Sequence, residues 1–285
     1  MIDFKNKNVV VLGLGISGFS AARLLHRRGA NVVVSEKKNE QGQKALAYDL
    51  KKLAINCELG VHTRATIENA DYVVLSPGIP LSSEPVVWAK NKHIEIIGEM
   101  ELGYQNCPAE IIAITGTNGK TTVTTLIGSV LREAGRNVFV LGNIGEPLCS
   151  RVEAMQETDM VSLEVSSFQL ETIKEFRPKV SVLLNFTPDH LDRYSNLDEY
   201  LAAKKRIFYN QDKDDYVVIN GSDATLRALA DETQSKVIYF NEEETSGDYV
   251  LNANQLAVVK VAEIFDITFD TCLKIFKGFK GIEHR

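Results

Sequence analysis

The chain has 285 residues, 44% of them hydrophobic and 25% charged, with a formal net charge of −6. That length suits two domains better than one core, and the acidic balance gives no support for a nucleic-acid surface, although glycine loops and helix N-termini still bind anions locally. Cys57, Cys107, Cys149 and Cys272 form neither a CxxC pair nor a zinc spacing, and the short apolar run near the start suits neither a signal peptide nor a membrane span, so a cytosolic setting is expected.

In chain order, Asn8–Leu12 (NVVVL) reads as a buried parallel strand. Glycines at 13, 15 and 18 follow, then a helix over Phe19–Arg28 that Gly29 ends. Ala30–Ser35 is a second strand; Asp71–Leu75, closing on Ser76-Pro77-Gly78, and Ile94–Gly98 are later ones. Strands alternating with helical stretches imply a doubly wound parallel sheet. A second α/β series opens at Ile111–Thr115 and continues with strands at Asn137–Leu141, Met160–Glu164, Val180–Asn185, Tyr216–Asn220 and Val237–Phe240. Helices are predicted at 119–134, 167–176, 198–210 and 252–265. The short polar connection at 98–110 marks the boundary, giving units 1–97 and 98–285.

GLGISG, residues 13–18, matches G-x-G-x-x-G after a strand. Alone it suggests NAD or FAD, with Glu36 at the end of the second strand on a ribose hydroxyl. The same geometry serves any diphosphate ligand, including a UDP-sugar, and the bland alternative is close packing of helix on strand.

AITGTNGKTTVTTLI carries a stronger signal. Gly116, Thr117, Asn118, Gly119, Lys120, Thr121 and Thr122 join a buried strand to a helix. Glycines let successive backbone N–H groups turn toward phosphate oxygens, lysine neutralises the β- and γ-phosphates, and a threonine hydroxyl ligates magnesium. The spacing departs from the common phosphate loop, which has glycine where Ile114 stands. The competing reading is a strand-to-helix turn that merely contains glycines.

Glu164 ends an apolar strand, where a carboxylate either holds a magnesium ion or is a plain surface charge. Asp189, His190 and Asp192 follow another strand, and this flanked histidine is a candidate ligand or phosphate contact. In YLAAKKRIFYN, Ala202 and Ala203 leave room for Lys204 to face inward, whereas Lys205 suits a solvated face.

Together GTNGKTTVTTLI, LGNIGEPL, LEVSSFQLE, NFTPDHLDRY and YLAAKKRIF resemble the Mur ligases, and SSFQLE resembles the D-glutamate-adding branch of that family. The resemblance covers residues 5–285. It implies an α/β protein with a Rossmann-like N-terminal domain for the substrate's UDP and a P-loop-type central ATPase domain. The family's C-terminal Rossmann-like domain is expected to be absent after Arg285, leaving ligation poor or lost. By the same likeness Leu14, Ser17, Glu36, Lys37 and Ser76 would contact uridine and diphosphate, and Asn143 would reach the substrate from the second domain. The family has aspartate where Glu36 stands. ATP would lie on residues 116–122, with Asn254 at the adenine and Arg285 also contacting the nucleotide. Thr121 and Glu164 would hold one magnesium, and His190 and Lys204 a second, Lys204 being carbamylated. Lys120, His190 and Lys204 are the catalytic candidates. The implied partners are ATP, UDP-N-acetylmuramoyl-L-alanine and D-glutamate, with no nucleic acid and no membrane segment, the chain being a monomer. The abbreviated SGDYVLNAN departs from the family's hairpin and G-x-H-N signature, which bears on adenine recognition.

The rival readings are a nicotinamide-dependent oxidoreductase built on GLGISG, a folylpolyglutamate-type ligase sharing the phosphate loop, and a non-catalytic nucleotide-binding remnant or regulator.

Overall fold

The computed structural model describes residues 2–143, 145–189, 193–241, 250–279 and 281. The chain packs into two compact units. The first runs to Cys107 and takes back Glu146–Ala154 and Thr172–Glu175; the remainder forms the second.

The first unit holds β1 (Asn8–Leu12), α1 (Ile16–Arg27), β2 (Asn31–Glu36), α2 (Gln41–Lys51), β3 (Asn56–Leu59), α3 (Arg64–Glu68), β4 (Tyr72–Leu75), α4 (Glu84–Asn91), β5 (Glu95–Gly98) and α5 (Glu99–Gln105). Its sheet is parallel in the order β3-β2-β1-β4-β5. The central β1 is buried on both faces from Val9 to Leu12, which explains its unbroken apolar run. Leu12 pairs in register with Ser35 on one side and Leu75 on the other. Gly13, Glu36 and Ser76 therefore lie at one level at the strand ends, where the strand order switches direction about β1. Such a crevice is where doubly wound sheets bind ligands.

The second unit holds β6 (Glu110–Thr115), α6 (Lys120–Glu133), β7 (Val138–Gly142), β8 (Met160–Glu164), α7 (Ser167–Leu170), β9 (Val180–Leu183), α8 (Leu197–Lys205), β10 (Tyr216–Asn220), α9 (Ala224–Ala228), β11 (Lys236–Phe240), α10 (Ala253–Ile264) and α11 (Phe269–Gly278). Its parallel sheet has the order β11-β10-β9-β6-β8-β7. Val123, Leu126, Ile127 and Val130 of α6 pack with Leu256, Val258 and Val261 of α10 in one buried cluster with the sheet. Each such side chain contributes about 1.5–3 kcal/mol when fully buried. The register Ile114↔Glu164, Gly142↔Glu164 and Thr115↔Leu183 brings four strand ends level. It fixes what surrounds the loop after Thr115.

The sequence-based expectation of one helix over 167–176 is corrected. α7 stops at Leu170, closed at its start by a Ser166–Gln169 capping box. The next amides are diverted from helical bonding: Lys174 and Glu175 donate N–H groups to the Glu101 carboxylate of α5 at 2.9 and 3.0 Å. Likewise, the helix over 198–210 ends at Lys205 and tightens to a 3-10 turn at Arg206–Phe208.

Candidate functional site

In the first unit the backbone at Gly13 takes a left-handed φ of +94°. Ser76 Oγ donates to the Gly13 carbonyl at 3.2 Å. A Cβ on Gly18 would lie 1.9 Å from Gly13 O, so the third glycine of the motif is what lets α1 meet the loop. Glu36 is buried, and both carboxylate oxygens accept backbone N–H groups, Oε2 from Leu14 and Oε1 from Lys38, each at 2.7 Å. The carboxylate thus braces the turn itself. Ser17 is half-buried and Lys37 exposed beside it. A cavity of about 530 Å³ opens alongside, lined by Lys37, Val61, His62, Ile79, Pro80 and Trp88 among others. That volume suits a small organic ligand.

The second unit builds its loop more tightly. Gly119, the residue capping α6, has a φ of +82°, and a Cβ there would lie 2.7 Å from Asn254 Oδ1. Asn254 therefore sits against the loop from the first turn of α10. Thr117 donates its amide to Asn185 O at 3.1 Å and its hydroxyl to Thr187 O at 3.1 Å, and Thr187 returns its amide to Thr117 Oγ1 at 3.1 Å. The Asn185 side chain closes the clamp, accepting from Asn118 N at 2.8 Å and donating to Asn118 O at 3.0 Å. A loop held on both flanks keeps its amides oriented without spending binding energy on ordering.

Two cations converge on it. Lys120 Nζ donates to the carbonyls of Gly116 and Thr117, each at 2.8 Å. Lys204, 2% exposed on α8, donates to the same Gly116 carbonyl at 2.9 Å. Its ammonium also lies 4.6 Å from the Tyr200 ring centre, a cation–π distance. Burial, then the nearby Lys120 charge, push Lys204 down to about 7, opposed by Asp189. Lys205, one residue on, pairs with Glu232 at 2.7 Å. Thr121 and Thr122 are half-buried in the first turn of α6, where the helix dipole favours anions.

Glu164, 2% exposed, accepts from Asn143 Nδ2 through Oε1 at 3.2 Å, while its buried Oε2 has no hydrogen-bond partner. A buried carboxylate oxygen without a partner is costly. A hard divalent cation is the ligand that oxygen pair suits, so the residues present fit magnesium. No cluster of three or more His, Cys, Asp or Glu side chains arranged for a metal occurs among the described residues, so such an ion would draw its other oxygens from hydroxyls, phosphates and water. His190, Asp192 and Arg285 lie outside the described residues. Sequence reasoning did not single out Asn185, Thr187, Tyr200 or the cavity residue His62. Asn185 lies inside the NFTPDH segment, but nothing in ELGVHTRA distinguished His62 from a solvated histidine.

A clamped glycine loop between a central parallel strand and a helix, with a lysine opening that helix, defines the second unit as a nucleotide-phosphate-binding α/β domain. The Mur ligase middle domain family matches residues 114–276, and the Mur ligase MurD-like, N-terminal domain family matches residues 7–98. The UDP-N-acetylmuramoylalanine–D-glutamate ligase of Caldanaerobacter subterraneus subsp. tengcongensis is 41% identical over all of this chain and 69% of its own length. The protein of the same name from Caldicellulosiruptor bescii is 39% identical with the same coverage. In fold, the solved UDP-N-acetylmuramate:L-alanyl-gamma-D-glutamyl-meso-diaminopimelate ligase from Neisseria meningitides is similar at a TM-score of 0.66 and 19% identity, covering 98% of this chain and all of that one. The chain belongs to the Mur ligase family. That membership sets aside the oxidoreductase reading of GLGISG, and the match over residues 7–98 counts against a folylpolyglutamate-type enzyme.

Proposed function

We propose that this chain acts in joining D-glutamate to UDP-N-acetylmuramoyl-L-alanine at the expense of ATP, a step in building the peptidoglycan precursor. The observation that carries this is the convergence of Lys120 and Lys204 on one clamped glycine loop, in a chain 41% identical to a relative of that name. Residues 1–97 would receive the UDP moiety through Leu14, Ser17, Glu36, Lys37 and Ser76, with the cavity beside Lys37 taking the base. Residues 98–285 would bind ATP on Gly116–Thr122, with Asn254 and Arg285 contributing and Asn143 directed to the substrate. The setting is cytoplasmic, where ATP and nucleotide sugars are available, and the working form a monomer.

The chemistry is activation of a carboxylate. Transfer of the γ-phosphoryl group to the substrate's terminal carboxylate gives an acyl phosphate and ADP. The amine of D-glutamate then attacks the acyl carbon, forming the amide and expelling phosphate. Loop amides and Lys120 hold the phosphate oxygens in place and offset the charge that builds on them. Thr121 and Glu164 would hold one magnesium ion, and His190 and Lys204 a second; when bound, the metal supplies Lewis-acid neutralisation of the phosphates. The ligase reading predicts that whatever phosphate release the 285-residue chain retains, expected to be weak, requires both the UDP-linked acceptor and D-glutamate, with L-glutamate inactive. Release indifferent to the acceptor amino acid would sink it.

Lys204 fits the second metal role only after modification, because an ammonium cannot ligate a cation. With its titration lowered to about 7, the side chain is largely a neutral amine above that pH. The amine nitrogen attacks carbon dioxide, forming an N–C bond and releasing one proton, and leaves an anionic carbamate. In 13C-bicarbonate, the carbamate resonance should grow as pH is raised from about 6 to about 8 and be missing from Lys204→Met. A wild-type spectrum without that resonance at the upper pH would rule the modification out.

A further inference from the structure

The turn that leads from β10 into α9, Asn220 to Asp223, reaches back at two points to the segment that follows β9. Asn220, 8% exposed, donates Nδ2 to the Leu184 carbonyl at 3.0 Å, and Asp223 Oδ2 accepts the Phe186 amide at 2.9 Å. The residue between those anchors is Asn185, whose backbone and side chain hold Thr117 and Asn118. Thr187, next after Phe186, exchanges two hydrogen bonds with Thr117. The turn is itself tied down. Gly221 donates its amide to Phe240 O at 2.8 Å, and Asn220 Oδ1 accepts from Ser222 Oγ and Asn241 Nδ2 at 2.9 and 3.3 Å.

Asp223 also caps α9, and the two jobs fall on different oxygens. Oδ1 accepts the amides of Thr225 and Leu226 at 3.0 and 3.1 Å, which is what a helix start asks of its cap. An asparagine or a serine meets that need equally well. Oδ2 serves Phe186 instead. A carboxylate is therefore required for the second contact alone, because it presents two acceptor oxygens and bonds an amide more strongly than a neutral group does. Both neighbours of Asn185 bear on the site. The Phe186 ring centre lies 5.2 Å from that of Tyr200, and a Cβ on Gly116 would come within 2.9 Å of the Leu184 Cβ.

We propose that Asp223 is a positioning residue of the phosphate loop: by holding the Phe186 amide through Oδ2 it sets Asn185 and Thr187, and through them the amides of Thr117 and Asn118. It acts through the clamp and not on the phosphates. The consequence for ATP rests on the reading that the nucleotide lies on residues 116–122.

The test is Asp223→Asn in the full chain, which keeps an oxygen for the α9 cap and turns an NH2 donor toward the Phe186 N–H. Amide hydrogen exchange followed by NMR reads the brace without nucleotide, and calorimetry reads ATP affinity. Exchange should quicken at Phe186, Thr187, Thr117 and Asn118, while the Thr225 and Leu226 amides stay as protected as in wild type. ATP should bind roughly fivefold more weakly, within the roughly tenfold scale of one lost hydrogen bond to a charged group. Should Asp223→Asn melt early, Asp223→Ser keeps the cap with a single hydroxyl in place of two carboxylate oxygens and should give the same pattern. Faster exchange at Phe186 with Thr117 and Asn118 unchanged overturns the proposal, as does protection lost evenly across the second unit. Loosened loop amides with unaltered ATP affinity would leave Asp223 as the brace of the loop and overturn the ATP reading of residues 116–122 instead.

Discussion

Replacing Lys120 with alanine is expected to weaken ATP binding roughly a hundredfold, the scale of two charge-assisted hydrogen bonds, and to leave the fold in place. The side chain is half-buried and donates to two carbonyl oxygens of the loop that precedes it. A carbonyl keeps its other contacts when this donor goes, so the loss to folding is small. The clamp that shapes the loop comes instead from Asn185 and Thr187. Phosphate oxygens offer the ammonium formal charge where carbonyls offer only dipoles, and that difference is what the substitution removes. Lys204 does not compensate, being 2% exposed and already bonded to the Gly116 carbonyl. Calorimetry with ATP and a thermal melt measure the two halves of the claim. Unchanged ATP affinity would mean that the phosphates lie elsewhere; a collapsed melt would mean that Lys120 is structural.

The doubly wound architecture was legible because parallel strands buried on both faces leave unbroken apolar runs, as in Asn8–Leu12 and Met160–Glu164. β3 was not legible. It is an edge strand, NCEL, partly exposed throughout and without an apolar run. The missing length of the predicted 167–176 helix has a tertiary cause, since Glu101, far away in sequence, takes the amides of Lys174 and Glu175. No local pattern encodes that. The same division holds for the sites. The glycine loop announces itself because its residues are contiguous. The cavity beside Lys37 draws on segments after three different strands, and His62 in it meets a serine 27 positions away.

The glycine that ends β7 should prove among the least replaceable residues of the second unit. Gly142 has a φ of +125° and pairs in register with Glu164. A Cβ there would stand 2.1 Å from Glu164 O and 2.8 Å from Glu164 N, both backbone atoms that no rotamer change can move. Gly135 supplies the comparison: its φ is +81°, also left-handed, yet a Cβ there would meet nothing within 4 Å. Gly135→Ala should therefore cost only the conformational term, about 1 kcal/mol. Gly142→Ala adds overpacking against fixed backbone and should cost more than about 3 kcal/mol. Denaturant unfolding followed by far-UV circular dichroism separates the two. The damage should also reach the chemistry. Forcing β7 away from β8 breaks the Asn143 N–H bond to Glu164 O at 2.9 Å and shifts the carboxylate whose Oε2 is buried and unpartnered. Magnesium-dependent ATP binding should then fall more in Gly142→Ala than in Gly135→Ala under conditions where both remain folded. Equal stability losses would show that the sheet end yields to an added methyl group, and the link from Gly142 to the Glu164 carboxylate would fail with it.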